Sequence, residues 1–336
     1  MLLSFFFGII FGIVMIYAKL NRFDTIVGFV KLTDMTVPKA LLTSMGVGMI
    51  LLMVLTKTGL AVYHIKPFLT GGLIVGGLLF GVGMAVLGYC PGTLFISAGE
   101  GSVDAFMGIA GGLLGGVVFT LAYPYISGFL GPDLGTLSLS NILNAPPFVV
   151  AGLTVVIGVT FLLLAFNLNK KEGTADKRWL IAGLALAVLN SVVLLKIASN
   201  RPIGASTTYP FVGDLLFGLT DTAYFRKIIK PGHWEMVFLS GAFFVSVVMT
   251  FLRKEANFYF LPRLWKEYKG TVVVKRIAWS FVGGFILIFG ARLAGGCTSG
   301  HILSGGMQLA FSSYFFAFFV IIGLVITGKV FYKKSV

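Results

Sequence analysis

Cys90 and Cys297 are the only cysteines in the chain, and they end two copies of one pattern, GG-x5-G-x4-G-x-C. Gly76-Gly77, Gly83, Gly88 and Cys90 match Gly283-Gly284, Gly290, Gly295 and Cys297 without a gap. A thiol is a weak hydrogen-bond donor when protonated and a nucleophile when ionised. An isolated cysteine in an apolar chain reads as a small buried hydrophobe. Two cysteines at the same motif position read instead as a matched pair with a shared role. Neither lies in a CxxC or metal-ligand spacing, and two are too few for a disulfide framework.

The residues after each cysteine carry further chemistry. The first copy continues Tyr89-Cys90-Pro91-Gly92-Thr93, the second Gly296-Cys297-Thr298-Ser299-Gly300-His301. Pro91 has no amide to donate, and Gly92 and Gly300 are poor helix formers, so a helix is expected to break just after each cysteine. Free amides and the hydroxyls of Thr93, Thr298 and Ser299 then face a polar cavity, because broken backbone at membrane depth is tolerated only there or inside protein. A following helix, starting near Ser102 or Gly305, aims its positive end at an anion. Arg292 lies five residues before Cys297 within an apolar run. Such a charge either lines a cavity, where it attracts an anion, or snorkels to headgroups. For His301 a structural hydrogen bond to a neighbouring carbonyl is favoured over a proton-sensitive role. Ser102 and Asp104 read as caps of the helix after Cys90, with Glu100 just before them. Arg201, before Pro202, is placed to meet an anion or a lipid phosphate.

These motifs must be positioned by membrane helices. Of 336 residues, 57% are hydrophobic and 11% charged, where a soluble domain carries roughly 25% charge. Apolar runs at about 2–18, 38–56, 68–88, 103–123, 147–166, 179–197, 235–252, 278–295 and 307–328 predict about nine spans, each needing about 20 apolar residues. The first run lacks a basic n-region and a cleavage site, so it reads as a span and not a signal peptide. The net charge of +14 is a property of cytoplasmic loops facing anionic headgroups and not a nucleic-acid footprint. Residues 124–146 carry no Lys or Arg and are expected outside. Lys170, Lys171, Lys177 and Arg178, the basic residues of 253–276, and Lys329, Lys333 and Lys334 are expected inside. The N-terminus is then outside and the C-terminus cytoplasmic. Arg226, Lys227 and Lys230 alone resist this scheme, falling outside.

The duplicated motif divides the chain into a first membrane repeat (1–146), a connecting span with its cytoplasmic loop (147–177) and a second membrane repeat (178–336). One connecting span turns the second repeat over relative to the first. The expected fold is therefore an all-α polytopic membrane protein with inverted repeats and short re-entrant helices, a plan frequent among transporters, whose path lies at the repeat interface.

Leu87-Gly-Tyr-Cys-Pro-Gly-Thr93 and Ala294-Gly-Gly-Cys-Thr-Ser-Gly-His301 resemble the two signature segments of the YeeE/YedE sulfur-transport family, over nearly the whole chain. The resemblance implies a bacterial inner-membrane protein that takes up a small sulfur-containing anion, thiosulfate first, with selenium or other sulfur species as alternatives. It implies that Cys90 and Cys297 sit on opposed re-entrant hairpins near the membrane centre and relay the anion through weak S–H contacts. A cytoplasmic sulfur-carrier protein is the implied receiver. The chain departs from the thiosulfate-transporting pattern in its first loop, where Asn21-Arg22-Phe23-Asp24-Thr25 has no third cysteine. Arg22 and Asp24, together with Arg201, are the residues expected at the entrance, Asp24 repelling a dianion unless Arg22 or Lys19 offsets it.

No triad, P-loop or metal-ligand cluster is legible, so no catalytic residue, metal or cofactor is expected. The rival from another class is a membrane sulfurtransferase or redox protein, which needs a low-pKa thiolate and a base; His301 is the one candidate base.

Overall fold

Long apolar runs free of proline-rich interruptions fold into helices here, because inside a bilayer the backbone must satisfy its own hydrogen bonds. The computed structural model describes residues 1–143, 145–254 and 257–333; Lys334 lies outside the described residues. In chain order the helices are α1 (Leu2–Tyr17), α2 (Phe23–Val30), α3 (Thr36–Lys57), α4 (Thr70–Leu87), α5 (Pro91–Gly99), α6 (Val103–Ile126), α7 (Leu139–Leu143), α8 (Pro147–Glu172), α9 (Arg178–Val193), α10 (Thr208–Leu216), α11 (Ala223–Leu252), α12 (Arg263–Lys269), α13 (Val273–Leu293) and α14 (Phe311–Phe331). A π-helical turn, Ser299–Gly305, lies between α13 and α14. Among the described residues there is no strand, only isolated bridges.

Among the described residues seven helical segments, not nine, are long and apolar enough to cross a membrane, with α4 and α5 together forming one of them. The other two expected spans are α1 and α9, apolar helices of 16 residues. At 1.5 Å per residue each is about 24 Å long, short of a hydrocarbon core of about 30 Å.

The bundle has two distinguishable ends. At one, Lys39 Nζ meets Glu172 and Asn169, and Asp24 accepts from the Leu264 amide and pairs with Arg263. This end gathers most of the basic loops. At the other end bridges join Ala61 to Leu195, Leu69 to Asp133 and Ser138 to Ala310. Lys227 lies at this second end, its Nζ 2.8 Å from the Tyr123 hydroxyl.

At the centre α4 packs on α13, α4 on α14 and α13 on α6, while α1 packs on α11 and α9 on α3. The motif glycines explain the innermost contact. A Cβ at Gly76 would stand 2.6 Å from the Ala294 nitrogen and 2.7 Å from the Gly290 carbonyl, and one at Gly290 would stand 2.6 Å from the Phe80 nitrogen. The two backbones meet with no side chain between them. The two helices run antiparallel along this seam, with Gly72 against Leu293 and Leu87 against Gly283.

Candidate functional site

The first turn is made where α4 stops. Gly88 adopts φ 77°, a left-handed conformation open to glycine at little cost, and its amide bonds back to the Met84 carbonyl. Cys90 is the N-cap of α5. Thr93 Oγ1 accepts from the Cys90 amide at 3.0 Å and donates to the Cys90 carbonyl at 3.1 Å. The break therefore precedes the cysteine instead of following it. Pro91 does not end a helix here; it starts one, because its fixed φ and missing amide suit the first helical position. The Cys90 sulfur lies 3.9 Å from Met84 Sδ and beside the Thr298 side chain.

The second turn is built differently. After α13, Gly295 takes φ 72° and the Gly296 amide bonds to the Ala291 carbonyl at 2.8 Å. Cys297 is buried. The π-helical turn follows directly, so no regular helix opens at Gly305; α14 starts only at Phe311. His301 lies in this turn, fully buried, with Nε2 2.9 Å from the Ala294 carbonyl, Nδ1 3.3 Å from Ser313 Oγ and its ring stacked on Phe316. Its nitrogens are engaged in structure.

An apolar cavity of about 360 Å³ adjoins the turns, with Cys90, Gly92, Thr93, Thr298 and Ser299 at its polar margin. Its other walls are side chains such as Phe11, Met45, Leu186 and Ile302. Gly92 packs near Ala205 and Phe11. The structure thus brings Cys90, Gly92, Thr93, Thr298 and Ser299 to one place. Gly300 does not line this cavity; it lies against the Lys66 side chain.

Around the Cys297 turn stands a cationic cluster. Lys66 Nζ donates to the Gly295 carbonyl at 2.5 Å and lies over Gly296 and Gly300, where a Cβ would stand 2.0 and 3.0 Å from it. Arg292 faces the protein and not the headgroups. Its Nε donates to the Tyr224 hydroxyl at 2.5 Å, and its Nη1 to Thr207 Oγ1 at 3.0 Å and Ser206 Oγ at 3.4 Å. Arg201 Nη2 pairs with Glu235 at 3.3 Å, and its guanidinium stacks over Trp234. Glu235 also accepts from the Thr207 amide at 2.7 Å and its hydroxyl at 3.1 Å. Lys66 thus lies within electrostatic range of Arg292, Arg201 and Glu235, and Asp214 is a second carboxylate within range of Arg292. Burial lowers the Lys66 pKa to about 8, with Arg292 and Arg201 adding to the shift and Cys297 and Glu235 opposing it. An excess of positive charge beside a buried thiol is chemistry for a desolvated anion.

Sequence reasoning missed Lys66, Glu235 and Tyr209. Tyr209 lies within electrostatic range of both thiols, and its hydroxyl donates to the Pro91 carbonyl at 2.7 Å. The available signal for Lys66 was its place in a short loop between two apolar runs; nothing in the sequence pointed to the turn it serves. Two other expectations are corrected. Arg22 and Asp24 do not join Arg201 at one entrance. Arg22 pairs with Glu100 at 3.0 Å and Asp24 serves Arg263 and the Leu264 amide, at the basic end. With a cation at 3.6 Å, Asp24 is no lone repelling charge. Ser102 and Asp104 occupy the start of α6, but neither caps it through its side chain; Ser102 Oγ bonds Asp104 instead. Among the described residues no group of three or more His, Cys, Asp or Glu side chains is arranged to hold a metal ion.

The family described as Sulphur transport matches residues 24–326. Thiosulfate transporter TsuA of Spirochaeta thermophila is 26% identical over 332 residues, which cover 94% of this chain and 94% of that protein. Thiosulfate transporter TsuA of Escherichia coli is 25% identical over 307 residues, covering 85% of this chain and 81% of that one.

Proposed function

The chain belongs to the Sulphur transport family, and from that premise we propose that it carries a small sulfur-containing anion, thiosulfate first, across a bacterial inner membrane. The observation that carries the reading is the cluster of Lys66, Arg201 and Arg292 with Glu235, set against the Cys297 turn. A doubly charged anion leaving water must find cations and hydrogen-bond donors on its path. Here it exchanges water for the Lys66 ammonium and the two guanidinium groups. It then passes Cys297, Thr298 and Ser299 to Cys90 and Thr93 of the other turn. The contact between Cys90 and Thr298 joins the two turns into one path.

Thiols suit the middle of such a path. An S–H is a weak donor, so it replaces lost water contacts without holding the anion. A path conducts only where each site is favourable enough to enter and weak enough to leave. No bond to sulfur forms or breaks in this scheme. The cavity beyond Cys90 is lined chiefly by hydrocarbon and gives a dianion no place to rest, so release toward the basic end takes a rearrangement there.

The two halves act as inverted repeats in this reading. Its support is the matched pairing of helices: α4 with α14 answers α13 with α6, and α1 with α11 answers α9 with α3. The basic end is cytoplasmic by the bias of Lys and Arg, so uptake starts at the end that holds Lys66.

The test is uptake of radiolabelled thiosulfate by proteoliposomes, with sulfite, sulfate and selenite compared. Cys90→Ala and Cys297→Ala are each expected to lower the uptake rate about tenfold or more, an activation difference of about 1.4 kcal/mol, with normal protein levels. Undiminished uptake by both single variants removes the thiol relay. No uptake of any of these anions by the unaltered protein removes the transport reading.

A further inference from the structure

The last carbonyls of α4 have no amide partners within the helix, because Gly88 turns the chain aside and Pro91 has no N–H. They are satisfied from other elements. Tyr332 donates its hydroxyl to the Ala85 carbonyl at 3.0 Å. Arg276 Nη2 donates to the Leu87 carbonyl at 2.7 Å, and its Nη1 reaches the Val86 carbonyl at 3.4 Å. Arg276 is wholly buried and comes from the first turn of α13. Its Nε donates to Asp104 Oδ2 at 2.7 Å, and its guanidinium lies over the rings of Phe23 and Trp265 at 4.3 and 4.8 Å. Asp104, also wholly buried, accepts in addition from the Tyr89 hydroxyl at 3.3 Å. Residues 86, 87 and 89, the segment that leads into Cys90, are thus fastened to one ion pair.

The second turn has a counterpart. In the motif register Leu87 corresponds to Ala294 and Gly88 to Gly295. The Ala294 carbonyl faces His301 Nε2, and the Gly295 carbonyl accepts from Lys66. Lys66 precedes α4 as Arg276 opens α13. Each broken helix is therefore closed by a cation from the segment that leads into the other. The two differ in charge. Asp104 offsets Arg276 in direct contact, whereas among the described residues Lys66 makes no ion pair.

We propose that Arg276, held by Asp104, is the positioning residue for Cys90, as Lys66 is for Cys297. A buried ion pair is weak evidence for stability, since an apolar pair of similar volume often serves as well. Its distinct effect is on geometry: it fixes where the broken end of α4 stops, and so where the thiol three residues later points. The inference rests on the reading that Cys90 lines the substrate path.

The experiment uses full-length protein in liposomes and follows alkylation of Cys90 by a membrane-permeant maleimide, in a Cys297→Ser background. Arg276→Met with Asp104→Leu removes both charges together and leaves neither unpaired. Cys90 is expected to react about threefold faster or more, a difference of about 0.65 kcal/mol. Cys297, measured in a Cys90→Ser background, keeps its rate. In the chain with both cysteines the same pair of substitutions lowers maximal uptake about tenfold with little change in KM, as misplaced path groups do. Arg276→Lys keeps the charge pair but loses the forked contact to two carbonyls; it gives an intermediate Cys90 rate even where the double variant fails to insert. An unchanged Cys90 rate in Arg276→Lys, or in an inserted double variant, overturns the proposal whatever uptake does. An altered Cys90 rate in a protein whose unaltered form moves no sulfur anion leaves the positioning role standing and overturns the transport reading alone.

Discussion

Lys66 and the Gly295 carbonyl it caps are 229 residues apart in the chain, and that separation explains why the cysteines were legible in the sequence while their charged surroundings were not. Cys90 and Cys297 stand out by rarity and by a shared motif. A lysine in a short loop acquires meaning only when the fold lays it over Gly296. His301 falls between: the expectation of a bond to a nearby carbonyl matches its contact with Ala294, because that partner is local. Lys66 also yields a pH prediction. Its pKa is lowered to about 8, so the ammonium is charged below that pH and loses its proton as pH rises through it. The groups around it are Arg292, Arg201, Glu235, Cys297 and His301. KM for thiosulfate is therefore expected to rise several-fold between about pH 7 and 9. Lys66→Arg flattens that rise, and Lys66→Met raises KM about tenfold at pH 7, the worth of a charge-assisted hydrogen bond of about 1.5 kcal/mol. A KM equally steep in pH with Lys66→Arg assigns the titration to another group.

At the scale of helices, the sequence pattern located the apolar segments and the glycine seam well, and placed the breaks poorly. Composition marks a buried seam because only glycine lets backbones touch. It does not say on which side of Cys90 the helix stops, since Pro91 both ends and begins helices; the left-handed Gly88 decides it. Span counting from hydropathy likewise overlooks that α1 and α9 are 16-residue helices. The seam itself is testable. At Gly76 a Cβ meets backbone atoms at 2.6 and 2.7 Å, which cannot rotate away as a side chain tip does. Gly76→Ala is expected to destabilise the protein by about 1–3 kcal/mol through overpacking, read as a lower unfolding midpoint in detergent. Gly152 in α8 has no atom within 4 Å of such a Cβ. Gly152→Ala is expected to stabilise by up to about 1 kcal/mol through helix propensity. Equal midpoints for the two variants would show that α4 and α13 do not approach as closely as described.

At the scale of the whole molecule, charge is distributed against its own rule at one point. Most Lys and Arg gather at the end where Lys39, Glu172, Asp24 and Arg263 meet. Lys227 instead lies at the opposite end against Tyr123, with Lys66 and Arg292 also toward that end. A bias of basic residues toward the cytoplasm sets orientation, so an exception at the far end calls for a separate reason. A positive field at the mouth of an anion path supplies one, since it raises local anion concentration and falls off with ionic strength. Both arguments then require the same orientation: basic loops in the cytoplasm, the Lys66 end outside. The check is a pair of single-cysteine proteins made in a Cys90→Ser, Cys297→Ser background. Thr136→Cys lies in the loop of the Asp133–Leu69 bridge, and Ala175→Cys in the loop after Glu172; both positions are exposed. In intact spheroplasts an impermeant maleimide is expected to label Thr136→Cys and to spare Ala175→Cys until the membrane is opened. The reverse pattern would place Lys66 and the Cys297 turn on the cytoplasmic side, and the cationic cluster would then serve release of the anion instead of its capture.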